Sequence, residues 1–123
     1  MIKIISTTFI IVLFFNLAEA KYIQTCKTKY KKSTGWSEYY TVNVTFKSGS
    51  ELNKATKSYD YESYSTYAVI FWNQDQVSVI LLSSYTGCGS EVTQNCITNK
   101  YSNLEGIDQE GRAWEICSKS SCY

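Results

Sequence analysis

Residues 67–82 read Tyr67-Ala68-Val69-Ile70-Phe71-Trp72-Asn73-Gln74-Asp75-Gln76-Val77-Ser78-Val79-Ile80-Leu81-Leu82. Two apolar runs, rich in β-branched and aromatic residues, flank a polar break of four residues. That is the pattern of an antiparallel hairpin. Because the runs are nearly continuous rather than alternating, both faces of the hairpin are expected to be covered, which makes it the centre of the core.

Working outward, strict alternation appears on the N-terminal side. From Glu38 to Lys47, Tyr40, Val42, Val44 and Phe46 share one face, and Tyr39, Thr41, Asn43, Thr45 and Lys47 share the other. This predicts a half-buried strand. Tyr22 to Lys31 alternates in the same way, with Gln24, Cys26, Thr28 and Tyr30 against Thr25, Lys27, Lys29 and Lys31, so its outer face carries lysines. Ser33-Thr34-Gly35 and Ser48-Gly49 read as turns. Glu51 to Tyr59 is read as a returning strand; the spacing of Leu52, Ala55 and Tyr59, with Ser50 as a cap, would also suit a short helix. On the C-terminal side, Leu104 to Cys117 forms a last hairpin about the turn Asp108-Gln109-Glu110-Gly111. Ser83 to Ser102 is a long irregular connection, and residues 118–123 a polar tail.

The expected fold is therefore all-β: a small single domain of about six to seven mainly antiparallel strands, as a meander, partly closed barrel or sandwich. A barrel with one short helix after the second strand is the alternative. The expected core is Tyr40, Val42, Val44, Phe46, Val69, Phe71, Val77, Val79, Leu81, Trp114 and Ile116. The chain has no proline, so exposed strand edges lack that protection.

Residues 1–20 read as a secretory signal. Met1-Ile2-Lys3 gives a positive start, Ile4 to Leu17 is apolar, and Ala18-Glu19-Ala20 offers small residues for cleavage after Ala20. The apolar run is too short for a comfortable membrane span. Residues 21–123 are then one secreted or periplasmic domain, with no stable membrane insertion after cleavage.

Export makes disulfides the expected state of the five cysteines. No histidine and no C-x-x-C pair is present, so the usual zinc ligand sets cannot be assembled and no metal or cofactor is expected. Cys88 and Cys96 flank a polar loop and make a natural local staple. Cys26 with Cys117 would close almost the whole domain, and Cys122 is left over as a free thiol or a link to a second copy. Cys122 could instead take the place of Cys117.

The lack of histidine also removes nucleophile–histidine catalysis. Glu105, Asp108 and Glu110 cluster near the last turn, where a carboxylate-dependent hydrolase would need a matched pair in a cleft; solvated turn residues are the simpler reading. No catalytic residue is expected. Charge is uneven: residues 21–57 sum to +6 and residues 58–123 to −5. Neighbouring basic and acidic strands would use that pattern most simply; steering a charged partner or self-association are the alternatives. Lys27, Lys29 and Lys31 share a face, but β-strand 22–31 interleaves no aromatic residue on it to stack bases, so no nucleic acid is expected.

The tyrosines are the strongest functional hint. Eleven occur in the chain, and Ser58-Tyr59-Asp60-Tyr61-Glu62-Ser63-Tyr64-Ser65-Thr66-Tyr67 is almost wholly Tyr, Ser, Thr and acid. Tyrosine provides stiff contact area with a polar tip, and serine adds adaptable hydrogen bonds. Tyr59, Tyr61 and Tyr64, extended by Trp36 and Tyr39, are the candidate binding residues of a non-catalytic module for a protein or carbohydrate, an inhibitor of a secreted hydrolase among the options. A structural or self-associating protein, a homodimer through Cys122 included, and a small hydrolase are the alternatives. Asn43-Val44-Thr45 is a glycosylation sequon.

Overall fold

The computed structural model describes residues 22–73, 75–83, 88–90, 92–98 and 103–117. The signal expected at 1–20 and Cys122 lie outside the described residues. The elements are β1 (Ile23–Lys32), β2 (Gly35–Trp36), β3 (Tyr40–Ser48), α1 (Gly49–Thr56), β4 (Thr66–Asn73), β5 (Gln76–Leu82), α2 (Gln94–Thr98), β6 (Asn103–Asp108) and β7 (Ala113–Cys117).

The fold is all-β, and its strands close on themselves. β1, β3, β4, β5, β6 and β7 each pair antiparallel with the next, and β7 returns to β1, with Tyr30 opposite Trp114 and Lys27 opposite Cys117. The result is a six-stranded barrel in meander order, with β2 as a short extra strand beside the end of β1. Closure consumes the strand edges, which is how a chain without proline avoids presenting them.

The alternation within each strand sorts residues to the inside or the outside. Cys26, Tyr30, Val44, Phe46, Ala68, Ile70, Ile80, Leu82, Leu104, Trp114 and Ile116 fill the lumen. Val69, Val77, Val79 and Tyr67 face outward into a second cluster, where Leu52 of α1 covers them with Tyr61, Phe71 and Leu81 at its margin. The 67–82 hairpin is thus covered on both faces, by the lumen and by the helix. Tyr40 and Val42 pack at the edge of the lumen cluster.

Residues 49–56 are helix, which corrects the strand expected from Glu51 onward. Every early donor of the helix has a partner. Ser48, the N-cap, accepts from Glu51 N–H, and the Glu51 carboxylate accepts from Ser48 N–H. Gly49 N–H donates to Ser65 O (2.9 Å) and Ser50 N–H to Ser63 O (2.9 Å). This capping box, with its neighbouring loop carbonyls, satisfies the donors that a short helix otherwise leaves open. Gly49 is required here: a Cβ would stand 1.7 Å from Glu62 O.

The barrel has two closed rims. The lower rim holds the start of β1 and the end of β3. It is plugged by the connection after β5, which buries Val92 and Ile97 against the lumen. That connection is tied to the barrel by the Ser48 hydroxyl donating to Ser90 O (2.7 Å) and Cys88 N–H donating to Thr66 Oγ (3.0 Å). Cys88 and Cys96 form a disulfide, Cα–Cα 5.9 Å. At the upper rim the β5–β6 ladder is short, and the Gln109 side chain extends it. Its Oε1 accepts from Val79 N–H (2.9 Å), and its Nε2 donates to Val77 O (2.8 Å).

The expected Cys26–Cys117 bridge does not form. Cys26 is a free, buried thiol, while Cys117 is disulfide-bonded. Register explains why: Cys117 lies opposite Lys27 and shares its outer face, whereas Cys26 points into the lumen. Burial pushes the Cys26 thiol from 9.0 up to about 12. Among the described residues no helix is long and apolar enough to cross a membrane.

Candidate functional site

Three aromatic regions emerge, and only two of them face solvent. The first is the upper rim of the lumen. Tyr30 packs on Trp114 (ring centroids 5.2 Å) and Tyr40 (6.2 Å), Trp72 meets Tyr40 edge-on (5.6 Å), and Trp72 lies 6.1 Å from Trp114. Trp72 continues the inward alternation of Ala68 and Ile70, and a β-bulge between Phe71 and Asn73 follows at this point. Its Nε1 donates to Ser78 Oγ (2.9 Å).

Asp108 organises the same rim. Its Oδ2 accepts from Trp114 Nε1 (2.8 Å), and its Oδ1 accepts from the backbone N–H groups of Glu110 (2.8 Å) and Arg112 (2.9 Å). The Arg112 guanidinium stands 4.0 Å from Oδ2 and lies over the Tyr30 ring at 5.2 Å. The hydrogen bond with Tyr30 leads the causes that raise the Tyr40 phenol above its ordinary value. Asp108 is buried and faces inward, whereas Glu105 and Glu110 are exposed. The three acids of the last turn are therefore not a facing pair, and both Asp108 oxygens are engaged in holding the turn and the indole.

The second region is a platform built on α1 and residues 57–65. Lys57 ends the helix in the left-handed conformation (φ 55°) and turns the chain back. Asn53 then clamps the returning strand of loop: its Nδ2 donates to Tyr61 O (2.9 Å) and its Oδ1 accepts from Tyr61 N–H (2.9 Å). Tyr67 Oη accepts from Glu62 N–H (2.9 Å). The Tyr61 ring meets Tyr67 edge-on at 5.3 Å, and burial raises both phenols above their ordinary values. Tyr61 is thus half-buried in the brace. Tyr59 and Tyr64, on either side of it, are 99% and 73% exposed. A shallow, open depression adjoins Tyr59, lined by Asn53, Lys54, Lys57 and Ser58.

The third region is the outer face of β1. Trp36 on β2 is paired with Lys31, so it shares that face. Trp36 and Tyr39 are 38% and 39% exposed. The Lys29 ammonium sits 5.1 Å from the Trp36 ring centre and 4.9 Å from that of Tyr39, and the Lys31 ammonium 5.4 Å from Trp36. From the other side, Glu115 of β7 approaches Lys29 at 3.7 Å.

The five residues singled out from the sequence therefore fall on two separate surfaces. Tyr59, Tyr61 and Tyr64 belong to the α1 platform, and Trp36 and Tyr39 to the β1 face. Asn53 escaped notice, because its role depends on a helix read as a strand. The pairing of lysines with rings was also missed: the rings come from β2 and the segment before β3, not from β1 itself. No protein-family model matches this chain, and neither a curated protein nor a solved structure is significantly similar to it.

Proposed function

We propose that this protein is an exported, non-catalytic recognition module that engages a partner protein through Tyr59 and Tyr64. Export rests on the pattern of residues 1–20 and accords with the Cys88–Cys96 disulfide. The observation that carries the reading is the double brace of the loop. Asn53 holds the backbone at Tyr61, Tyr67 holds it at Glu62, and the two flanking tyrosines stand in solvent. A loop fixed before contact loses little conformational freedom on binding, and tyrosine adds large contact area with few rotatable bonds. The shallow depression beside Tyr59 adds Asn53, Lys54, Lys57 and Ser58 to the same surface. A non-catalytic role is supported by the lack of histidine and by the divergence of Glu105 and Asp108.

The test is capture from the extracellular fluid of the source, followed by titration with the purified partner. Tyr59→Ala combined with Tyr64→Ala is expected to lower affinity by about 30-fold or more, the scale of interface hot spots, at unchanged melting temperature. An affinity within twofold of the parent protein would refute the reading.

A further inference from the structure

We propose that the outer face of β1 is a second binding site, for an anionic polysaccharide: a pyranose chain bearing sulfate or carboxylate groups. It rests on the export proposed above, but on none of the residues of the tyrosine platform.

Two parallel rows of groups define the site. Lys27, Lys29 and Lys31 occupy alternate positions of one strand and share its outer face, with Lys32 exposed at the end. Successive ammonium positions on such a row are about 7 Å apart, since a strand rises about 3.3 Å per residue. Three of them therefore extend over about 13–14 Å, a length comparable with a few sugar rings. Beside this row stand Trp36 and Tyr39, each more than one-third exposed and each in contact with a lysine of the first row. An acidic sugar chain matches the combination. Its anionic groups meet the ammoniums, and the C–H faces of its rings pack on the aromatic side chains.

The rest of the face agrees with this occupant. Thr25 donates to Asn43 Oδ1 (2.7 Å) across β1 and β3, and Thr41 is exposed opposite Lys27. Hydroxyl and amide groups of this kind suit a polyhydroxylated ligand better than an apolar one. Two acids border the rows, Glu115 through its contact with Lys29 and Glu38 next to Tyr39 in the chain. Against these two acids the face sets four lysines, Lys27, Lys29, Lys31 and Lys32, so its balance is positive. The exposed hydroxyl and amide groups beside the rows favour a sugar chain over nucleic acid as the occupant.

The experiment titrates the full secreted chain with a heparin-derived oligosaccharide, its desulfated counterpart and a single-stranded oligonucleotide of equal charge, at physiological salt. The sulfated sugar is expected to bind, and the desulfated one at least about tenfold more weakly, with an affinity that falls steeply with salt as counterion release requires. Lys29→Gln with Lys31→Gln should cost about tenfold or more. Trp36→Ala and Tyr39→Ala should each cost several-fold at unchanged circular dichroism, the scale of a lost stacking contact of about 1 kcal/mol. Absence of binding overturns the proposal. So does retention of full affinity after both ring substitutions, which would mean simple ion exchange, or tighter binding of the oligonucleotide. None of these readings involves Tyr59 or Tyr64, so failure here and failure of the platform are separable.

Discussion

The upper rim of the barrel and the α1 platform are built from the same kind of side chain and use it in opposite ways. At the rim, Tyr30 and Trp114 are buried, and the indole nitrogens of Trp72 and Trp114 are matched to Ser78 and Asp108. On the platform, Tyr61 and Tyr67 do the same work of bracing, so that Tyr59 and Tyr64 can stand in solvent. Aromatic content therefore says little about role here. What separates the two uses is how far each ring is packed within the fold.

That contrast can be broken first at the rim. Trp114→Ala removes the largest lumen side chain and leaves the inward carboxylate of Asp108 without its indole donor. It should lower unfolding free energy by about 3–5 kcal/mol in urea titration. The lumen also carries a pH signature. Cys26 titrates at about 12 in the folded barrel against 9.0 in the ordinary case. The unfolded chain thus releases this proton first as pH rises, and stability falls between about pH 9 and 12. Raised values for Tyr61 and Tyr67 act in the same direction at higher pH. Cys26→Ser should flatten the first part of that decline in melts recorded across the range.

Smaller effects sharpen the platform side. Gly49→Ala places a methyl group into Glu62 O and should cost about 1–3 kcal/mol, the range for overpacking. Much of the loss should appear as faster hydrogen exchange in residues 57–65. Asn53→Ala removes both bonds to the Tyr61 backbone and should cost about 1–2 kcal/mol. The smallest stability change is expected for Tyr59→Ala with Tyr64→Ala, within about 0.5 kcal/mol, while partner affinity collapses.

The sequence already carried the strands and their faces. The alternation of Cys26, Thr28 and Tyr30 against Lys27, Lys29 and Lys31 foretold which side of β1 meets the lumen. The continuous 67–82 runs foretold a hairpin covered twice. A barrel was among the folds the alternation allowed, but the β7–β1 pairing that closes it joins the two ends of the domain, and no local pattern encodes that pairing. The same non-local register separates Cys26 from Cys117, although the two lie on adjacent strands. The helix was written in Ser48-Gly49-Ser50-Glu51, a capping box, but the sparse apolar positions Leu52 and Ala55 resemble a weak strand just as well. On the β1 face, Trp36 and Tyr39 become neighbours of Lys29 only after β2 folds back, so a reading confined to one strand found lysines alone.

The partition of the aromatic residues is measured most directly by hydroxyl-radical footprinting of the native protein with mass spectrometry. The account predicts rapid modification of Tyr59 and Tyr64, intermediate modification of Trp36 and Tyr39, and protection of Tyr30, Tyr67 and Trp114 until the barrel unfolds. Protection of Tyr59 and Tyr64 in the free protein, or native-state labelling of Trp114 at a comparable rate, would contradict it.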